Sequence, residues 1–232
     1  MKLPVVILAG GLGKRMSSKY KNIQKCMIKI KNKPFIHYVL TNLEKNKVKN
    51  VIFLLGHRSK DVTKFLNKKK YLYNLKIQIS YDGKNLLGTG GAVKKSLDLI
   101  NNDFILTYAD SYLEYNFQKI VKYYLKNKLT SLITVYKNKN GTDKSNIILK
   151  NNKIINYGKD NLNQYNYIDW GISIFNKNIF KGIKKRKFDL NLIYNTQIEK
   201  KLLYGYRVFK KYREIGTPSS LIEFKKYINE KK

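Results

Sequence analysis

Three glycines and two cations stand together directly after an apolar run near the start of the chain. The segment is Leu8-Ala9-Gly10-Gly11-Leu12-Gly13-Lys14-Arg15-Met16, and it comes after the continuous apolar stretch Leu3–Ala9. Glycines after a buried strand let backbone N–H groups come close to phosphate oxygens. Lys14 and Arg15 add positive charge at the same place. Two familiar glycine loops are excluded by residue type. A P-loop requires Gly at the position of Leu8 and Ser or Thr at that of Arg15. A dinucleotide fingerprint requires its third Gly at the position of Met16. What remains is a phosphate-binding loop of a different type, or an ordinary strand-to-helix turn.

Other residues could do chemistry, each with a plainer reading beside it. Asp110 ends the apolar run Phe104–Ala109 and either holds a cation or caps the next helix; open α/β sheets place their sites at strand C-termini. Glu214 precedes Ile215-Gly216-Thr217-Pro218 and is a ligand or a surface acid. Lys159 lies among many solvated lysines. Trp170 is a wall of a site or a core aromatic. His37 and His57 have no Cys/His cluster at zinc spacing nearby, and neither is assigned a role.

The elements that must position these residues keep a β-α-β-α rhythm. Apolar runs predict strands over Leu3–Ala9, Val51–Leu55, Leu75–Ser80, Phe104–Ala109 and Ser131–Tyr136. Helical spacing predicts helices over Phe35–Asn46, around Val62–Leu66, over Gly90–Ile100 and over Phe117–Leu125. Such alternation implies a mostly parallel, Rossmann-like α/β sheet with helices on both faces. After about Lys137 the pattern changes. A hairpin is expected around Asn151-Asn152, and strands over Tyr167–Phe175 and Tyr206–Lys210. Helices are expected over Asp189–Lys201 and Pro218–Asn229, the latter with Thr217 as N-cap. No Pro/Gly/Ser linker or repeat divides the chain. We therefore expect one domain over 1–232, with a first part over about 1–136 and a small β-rich extension of it over about 137–232.

Composition sets the broad class. The chain has 232 residues, 43% of them hydrophobic, which suffices for a core without disulfides. The lone Cys26 fits a reducing cytoplasm. No stretch reaches the ~20 apolar residues of a membrane helix, and the N-terminus lacks a signal-peptide cleavage pattern. The formal net charge of +33 invites a nucleic-acid reading. The basic residues are spread along the whole chain, however, and no specific nucleic-acid partner is expected. The charge attracts polyphosphates in general, in a salt-dependent way.

Gly10-Gly11-x-Gly13-x-Arg15 resembles the signature loop of the sugar-phosphate nucleotidyltransferases. The resemblance implies that Leu8, Ala9, Gly10, Gly11, Gly13 and Lys14 surround a nucleoside triphosphate and that Arg15 grips the phosphates that leave. Gln24-Lys25-Cys26 is similar to the family's Pro-Lys-Pro or Pro-Lys-Cys, whose Lys contacts the reacting phosphate; Gln24 departs from that pattern. Leu87-Gly88-Thr89-Gly90-Gly91-Ala92 resembles the second glycine segment, so Gly88, Thr89 and Gly90 would lie against base and ribose. Thr107-Tyr108-Ala109-Asp110 is similar to a strand-end Gly-Asp motif that binds Mg²⁺. Glu214-Ile215-Gly216-Thr217-Pro218 resembles Asp-Ile-Gly-Thr-Pro, whose acid is the second magnesium ligand; Glu214 is one methylene longer. Tyr157-Gly158-Lys159 falls where the family has Glu-Lys-Pro, making Lys159 the candidate for the acceptor's phosphate. Ile168-Asp169-Trp170-Gly171 falls where many members have Asn-Ala-Gly against the sugar, so Asp169, Trp170 and Gly171 are acceptor candidates.

The implied fold is GT-A-like, and the implied enzyme is a Mg²⁺-dependent nucleotidyltransferase. It would join an NTP to a sugar 1-phosphate in nucleotide-sugar biosynthesis for surface polysaccharide, as a cytoplasmic monomer or homodimer. Size and motifs are similar to compact heptose and mannose 1-phosphate guanylyltransferases, which leans the nucleotide to GTP. Two other functions stay open. One is a cytidylyltransferase for a non-sugar phosphate such as phosphocholine, with Trp170 facing the cation. The other is a basic protein that binds nucleotides or nucleic acid without catalysis.

Overall fold

A computed structural model describes residues 2–11, 16, 20, 23–69, 72–138, 144–158 and 165–231. The chain divides into two units. The first comprises Met1–Leu86, Thr107–Glu114 and Tyr212–Lys232; the second comprises Leu87–Leu106 and Tyr115–Lys211.

In the first unit the chain begins with β1 (Val5–Leu8), a tight hairpin of β2 (Lys29–Ile30) and β3 (Lys33–Pro34), then α1 (Phe35–Lys45) and β4 (Asn50–Leu55). α2 (Ser59–Lys69) and β5 (Lys76–Tyr81) come next. β1 and β4 pair in parallel with Val5 opposite Val51, and β4 and β5 with Asn50 opposite Lys76. Val5, Val6, Ile7, Val51 and Phe53 are fully buried, which is why both strands are unbroken apolar runs. α1 buries Phe35, Ile36, Val39, Leu40 and Leu43, one stripe at helical spacing.

The second unit opens with α3 (Gly88–Lys95). The helix expected to run to Ile100 stops early and continues only as a 3₁₀ turn over Leu97–Leu99. The Ser96 hydroxyl donates to the Val93 carbonyl (2.8 Å), so the side chain competes with the helical ladder at that point. β6 (Asp103–Tyr108) contributes its first four residues to the second unit and its last two to the first, where the Ala109 N–H donates to Leu8 O (3.0 Å). The short β7 (Ser111–Tyr112) then belongs to the first unit.

The second unit continues with α4 (Phe117–Lys126), β8 (Ser131–Lys137), the hairpin β9 (Ile147–Lys150) and β10 (Lys153–Tyr157), β11 (Tyr167–Asn176), α5 (Asn191–Glu199) and β12 (Leu203–Val208). Its strand order is β6-β11-β8-β12-β10-β9. β8 and β12 are parallel, whereas β11 runs antiparallel to both β6 and β8, so the sheet is mixed here. The hairpin turn is at Asn151-Asn152, both left-handed (φ 48° and 58°), the conformation that favours Asn in a two-residue turn. β12 begins three residues before the expected Tyr206 because Lys201 (φ 58°) turns the chain straight out of the helix, and Leu203 is fully buried.

The chain ends in the first unit with β13 (Arg213–Glu214) and α6 (Pro218–Glu230). Thr217 caps α6 through a reciprocal capping box with Ser220, and Pro218 takes the first turn. Phe224 packs edge-on against Phe35, ring centroids 4.8 Å apart. No helix among the described residues is long and apolar enough to cross a membrane.

Candidate active site

The glycine loop leaves β1 as bare backbone. A Cβ on Gly10 would stand 3.2 Å from Gly56 N, while one on Gly11 would meet nothing within 4 Å. Gly10 is thus confined by close approach and Gly11 faces open space. The strand end is tied down on two sides: the Ala9 N–H donates to Leu54 O (2.9 Å), and the Gln24 side-chain amide donates to Ala9 O. Gln24 is only 5% exposed. A proline at that position has no amide to offer, so the departure at Gln24 supplies a tether. Gly13, Lys14, Arg15 and Lys159 lie outside the described residues.

Lys25 sits on a short 3₁₀ turn, Lys25–Met27, held in place by the buried Cys26. Its ammonium is ion-paired with the carboxylate of Asp110 just past β6. Both side chains remain partly accessible, 16% and 25% exposed. Burial, with the nearby Asp110 charge second, pushes the Cys26 thiol up to about 12, so it is an inert core group.

β7 and β13 form a two-stranded antiparallel pair with Glu214 opposite Ser111 and Arg213 opposite Tyr112. The Ile215 N–H donates to Asp110 O (3.0 Å). The backbones carrying the two candidate carboxylates are therefore adjacent. Gly216 makes room for the longer acid: a Cβ there would stand 3.0 Å from both Glu214 carboxylate oxygens. Gly216 was visible in the sequence only as part of a motif. Among the described residues no three His, Cys, Asp or Glu side chains group as a metal cage. Two carboxylates with water and phosphate oxygens would be the remaining donor set, all hard oxygen, the type Mg²⁺ takes.

In the second unit, Gly88, Thr89 and Gly90 start α3. Gly88 is left-handed (φ 72°), and a Cβ on it would meet Phe188 O at 2.6 Å. A Cβ on Gly90 would meet the Phe188 ring at 2.4 Å. The Gly90 and Gly91 N–H groups both donate to Phe188 O, and the Thr89 hydroxyl accepts from the Leu190 N–H (2.9 Å). These glycines are therefore required by packing against the 188–190 segment.

Asp169 and Gly171 form an irregularity in β11. Between Asp169 and Ser173 the pairing with β8 shifts register, and Gly171 is left-handed (φ 101°). Such bulges re-aim side chains. The Asp169 carboxylate accepts from the Gly171 N–H (2.9 Å) and the Tyr157 hydroxyl (3.0 Å), and the Asp169 N–H donates to the Asn146 side chain (3.1 Å). Burial raises the Asp169 pKa despite those two donors. From the sequence, Tyr157 entered only as a neighbour of Lys159, and Asn146 was given no role. Neither carries a spacing signal, since each meets Asp169 only through strand pairing.

Trp170 is 1% exposed, its Nε1 donates to Lys210 O (2.6 Å) and its ring meets Tyr115 edge-on at 5.8 Å. Ile168 and Ile172 beside it are buried as well. A ring so enclosed presents no face to an acceptor. The expectation of Trp170 as a contact for an acceptor, or for a choline cation, gives way to a core role.

Comparison with known proteins gives the family and the fold. Residues 4–231 match the family model for nucleotidyl transferases. The chain is 27% identical to the D-glycero-alpha-D-manno-heptose 1-phosphate guanylyltransferase of Campylobacter jejuni, covering 96% of this chain and 98% of that protein. It is 24% identical to the Aneurinibacillus thermoaerophilus protein of the same name, covering 93% and 94%. The crystal structure of HddC from Yersinia pseudotuberculosis has the same fold, with a TM-score of 0.85 at 24% identity over 97% of this chain and 99% of that one. The chain belongs to the nucleotidyl transferase family.

Proposed function

We propose that this nucleotidyl transferase joins GTP to a sugar 1-phosphate, heptose or mannose 1-phosphate first among them, giving a GDP-sugar and pyrophosphate. The observation that carries the chemistry is the Lys25–Asp110 ion pair at the end of β6, with Glu214 strand-paired beside it. The lean to GTP and to a heptose comes from the names of the two relatives, each matched over nearly the whole chain.

The reaction needs no covalent intermediate. An oxygen of the acceptor's phosphate attacks the α-phosphorus in line, and the bond to the β-phosphate breaks with its electron pair leaving on pyrophosphate. Catalysis is then positioning and charge neutralisation. The N–H groups of the Gly10–Gly13 loop, with Lys14 and Arg15, hold the β- and γ-phosphates. Lys25 meets the charge that grows at the α-phosphate. Asp110 and Glu214 are the residues that would hold Mg²⁺, which when bound neutralises phosphate charge. Gly88, Thr89 and Gly90 belong to the nucleoside's surroundings; Lys159 holds the nucleophilic phosphate, and Asp169 and Gly171 the sugar. No general base is required, because a phosphate monoester is already anionic at neutral pH. The enzyme would work in the cytoplasm as a monomer or homodimer.

A matrix of four NTPs against sugar 1-phosphates and phosphocholine, scored by pyrophosphate release, tests this. Release with GTP and a sugar 1-phosphate is expected. No release from any pair would end the proposal.

A further inference from the structure

Glu214 is carried on β13, a strand of two residues that pairs with the equally short β7 as a separate two-stranded sheet. A ribbon of that size does not hold its place in water through its own hydrogen bonds. If Glu214 is to stay at a set distance from Asp110, a side chain must anchor the ribbon to something rigid. The rigid element at hand in the first unit is α6, capped at Thr217 and packed through the fully buried Phe224.

Arg213 makes that connection. Its guanidinium carbon Cζ lies 3.7 Å from the centroid of the Tyr227 ring on α6, a stacked cation–π contact. The ring itself has one place. Its hydroxyl donates to the Glu114 carboxylate (2.8 Å) and accepts from the Lys231 ammonium (2.6 Å), and Lys231 is ion-paired with Glu114. Tyr112, which stands opposite Arg213 in the ribbon, and Phe224 flank the ring, each with its centroid 6.0 Å away. Consecutive strand residues point to opposite faces, so the stack takes Arg213 to one face and leaves Glu214 to the other. It also occupies a guanidinium whose planar fork would otherwise suit the nearby carboxylates.

We propose that Arg213 and Tyr227 are positioning residues for the metal's acid: their stack ties β13 to α6 and so keeps Glu214 beside Asp110 for Mg²⁺. This rests on the reading of Asp110 and Glu214 as the residues that hold the metal.

The test reads metal binding apart from turnover. Mn²⁺ serves as the probe, its free-ion EPR signal reporting binding to the full chain with GTP and no acceptor, against GTP alone. Glu214→Gln gives the loss expected for the ligand itself. Arg213→Gln and Tyr227→Leu should each weaken Mn²⁺ binding roughly 3–30-fold, the range a cation–π contact spans. The double variant should lose no more than either single one, because both remove the same contact. Tyr227→Phe keeps the ring between Tyr112 and Phe224 and should stay within about twofold. A purely structural role would lower Tm in these variants and leave Mn²⁺ binding alone. Arg213→Gln decides the matter if Tyr227→Leu fails to fold. Unchanged Mn²⁺ binding in Arg213→Gln, where Glu214→Gln weakens it, would overturn the positioning role and leave the metal site standing. Unchanged binding in Glu214→Gln would remove the metal site and this proposal with it.

Discussion

The ammonium of Lys25 is ion-paired with the carboxylate of Asp110, 85 positions further along the chain. Each balances the other's charge. Exposed pairs add little to stability, and both members here stay partly accessible. The pair therefore serves position more than folding. Lys25→Ala should lower turnover about a hundredfold or more, roughly 3 kcal/mol for one transition-state contact, with a smaller change in the KM for GTP. Asp110→Asn should lower turnover at least as far while melting near the wild-type temperature. Normal kinetics in both variants would reduce the pair to a surface contact.

Metal dependence is the second prediction. Activity should vanish in EDTA and return with Mg²⁺. Glu214→Gln should raise the Mg²⁺ concentration needed for half-maximal activity. Gly216→Ala should do the same more weakly, because its Cβ would displace the Glu214 carboxylate that now lies 3.0 Å from that point. A Mg²⁺ titration that is identical in all three proteins would remove Glu214 from the metal site.

Trp170 offers a contrast between core and site. Trp170→Phe leaves the Lys210 carbonyl without its indole donor, at a cost of about 1–3 kcal/mol. For a chain of this size each kcal/mol lowers Tm by roughly 2–4 °C. Tm should fall while the KM for the sugar 1-phosphate stays unchanged. A raised KM with an unchanged Tm would return Trp170 to the acceptor.

His37 gives a pH dependence of stability. Burial, then the Lys33 charge, lowers its pKa below 6.5, against the weaker opposite pull of Glu44. Its ring nitrogen shares a hydrogen bond with the Tyr73 hydroxyl (2.7 Å). The unfolded chain therefore binds the proton more readily than the folded one, and stability falls as pH drops below about 6.5 toward the depressed value. Tm measured from pH 7.5 to 5 should decline more steeply in the wild type than in His37→Gln. Parallel curves would assign the decline to other groups.

Much of the fold was legible because it is local. Apolar runs mark β1, β4 and β6, helical spacing marks α1, and Asn151-Asn152 and Thr217 mark a turn and a cap through preferences that act within a few residues. The proposal of a phosphate site at the glycine loop rests on the same kind of local pattern. What local pattern does not encode is pairing across the chain. β7 and β13 are two residues each, too short to carry a period, yet their pairing brings Glu214 beside Asp110. The contacts of Gln24 with Ala9 and of Tyr157 with Asp169 likewise join separate segments. Trp170 shows the limit most plainly: its residue type suits a binding wall and a core equally well, and only the packing around β11 decides that it is buried.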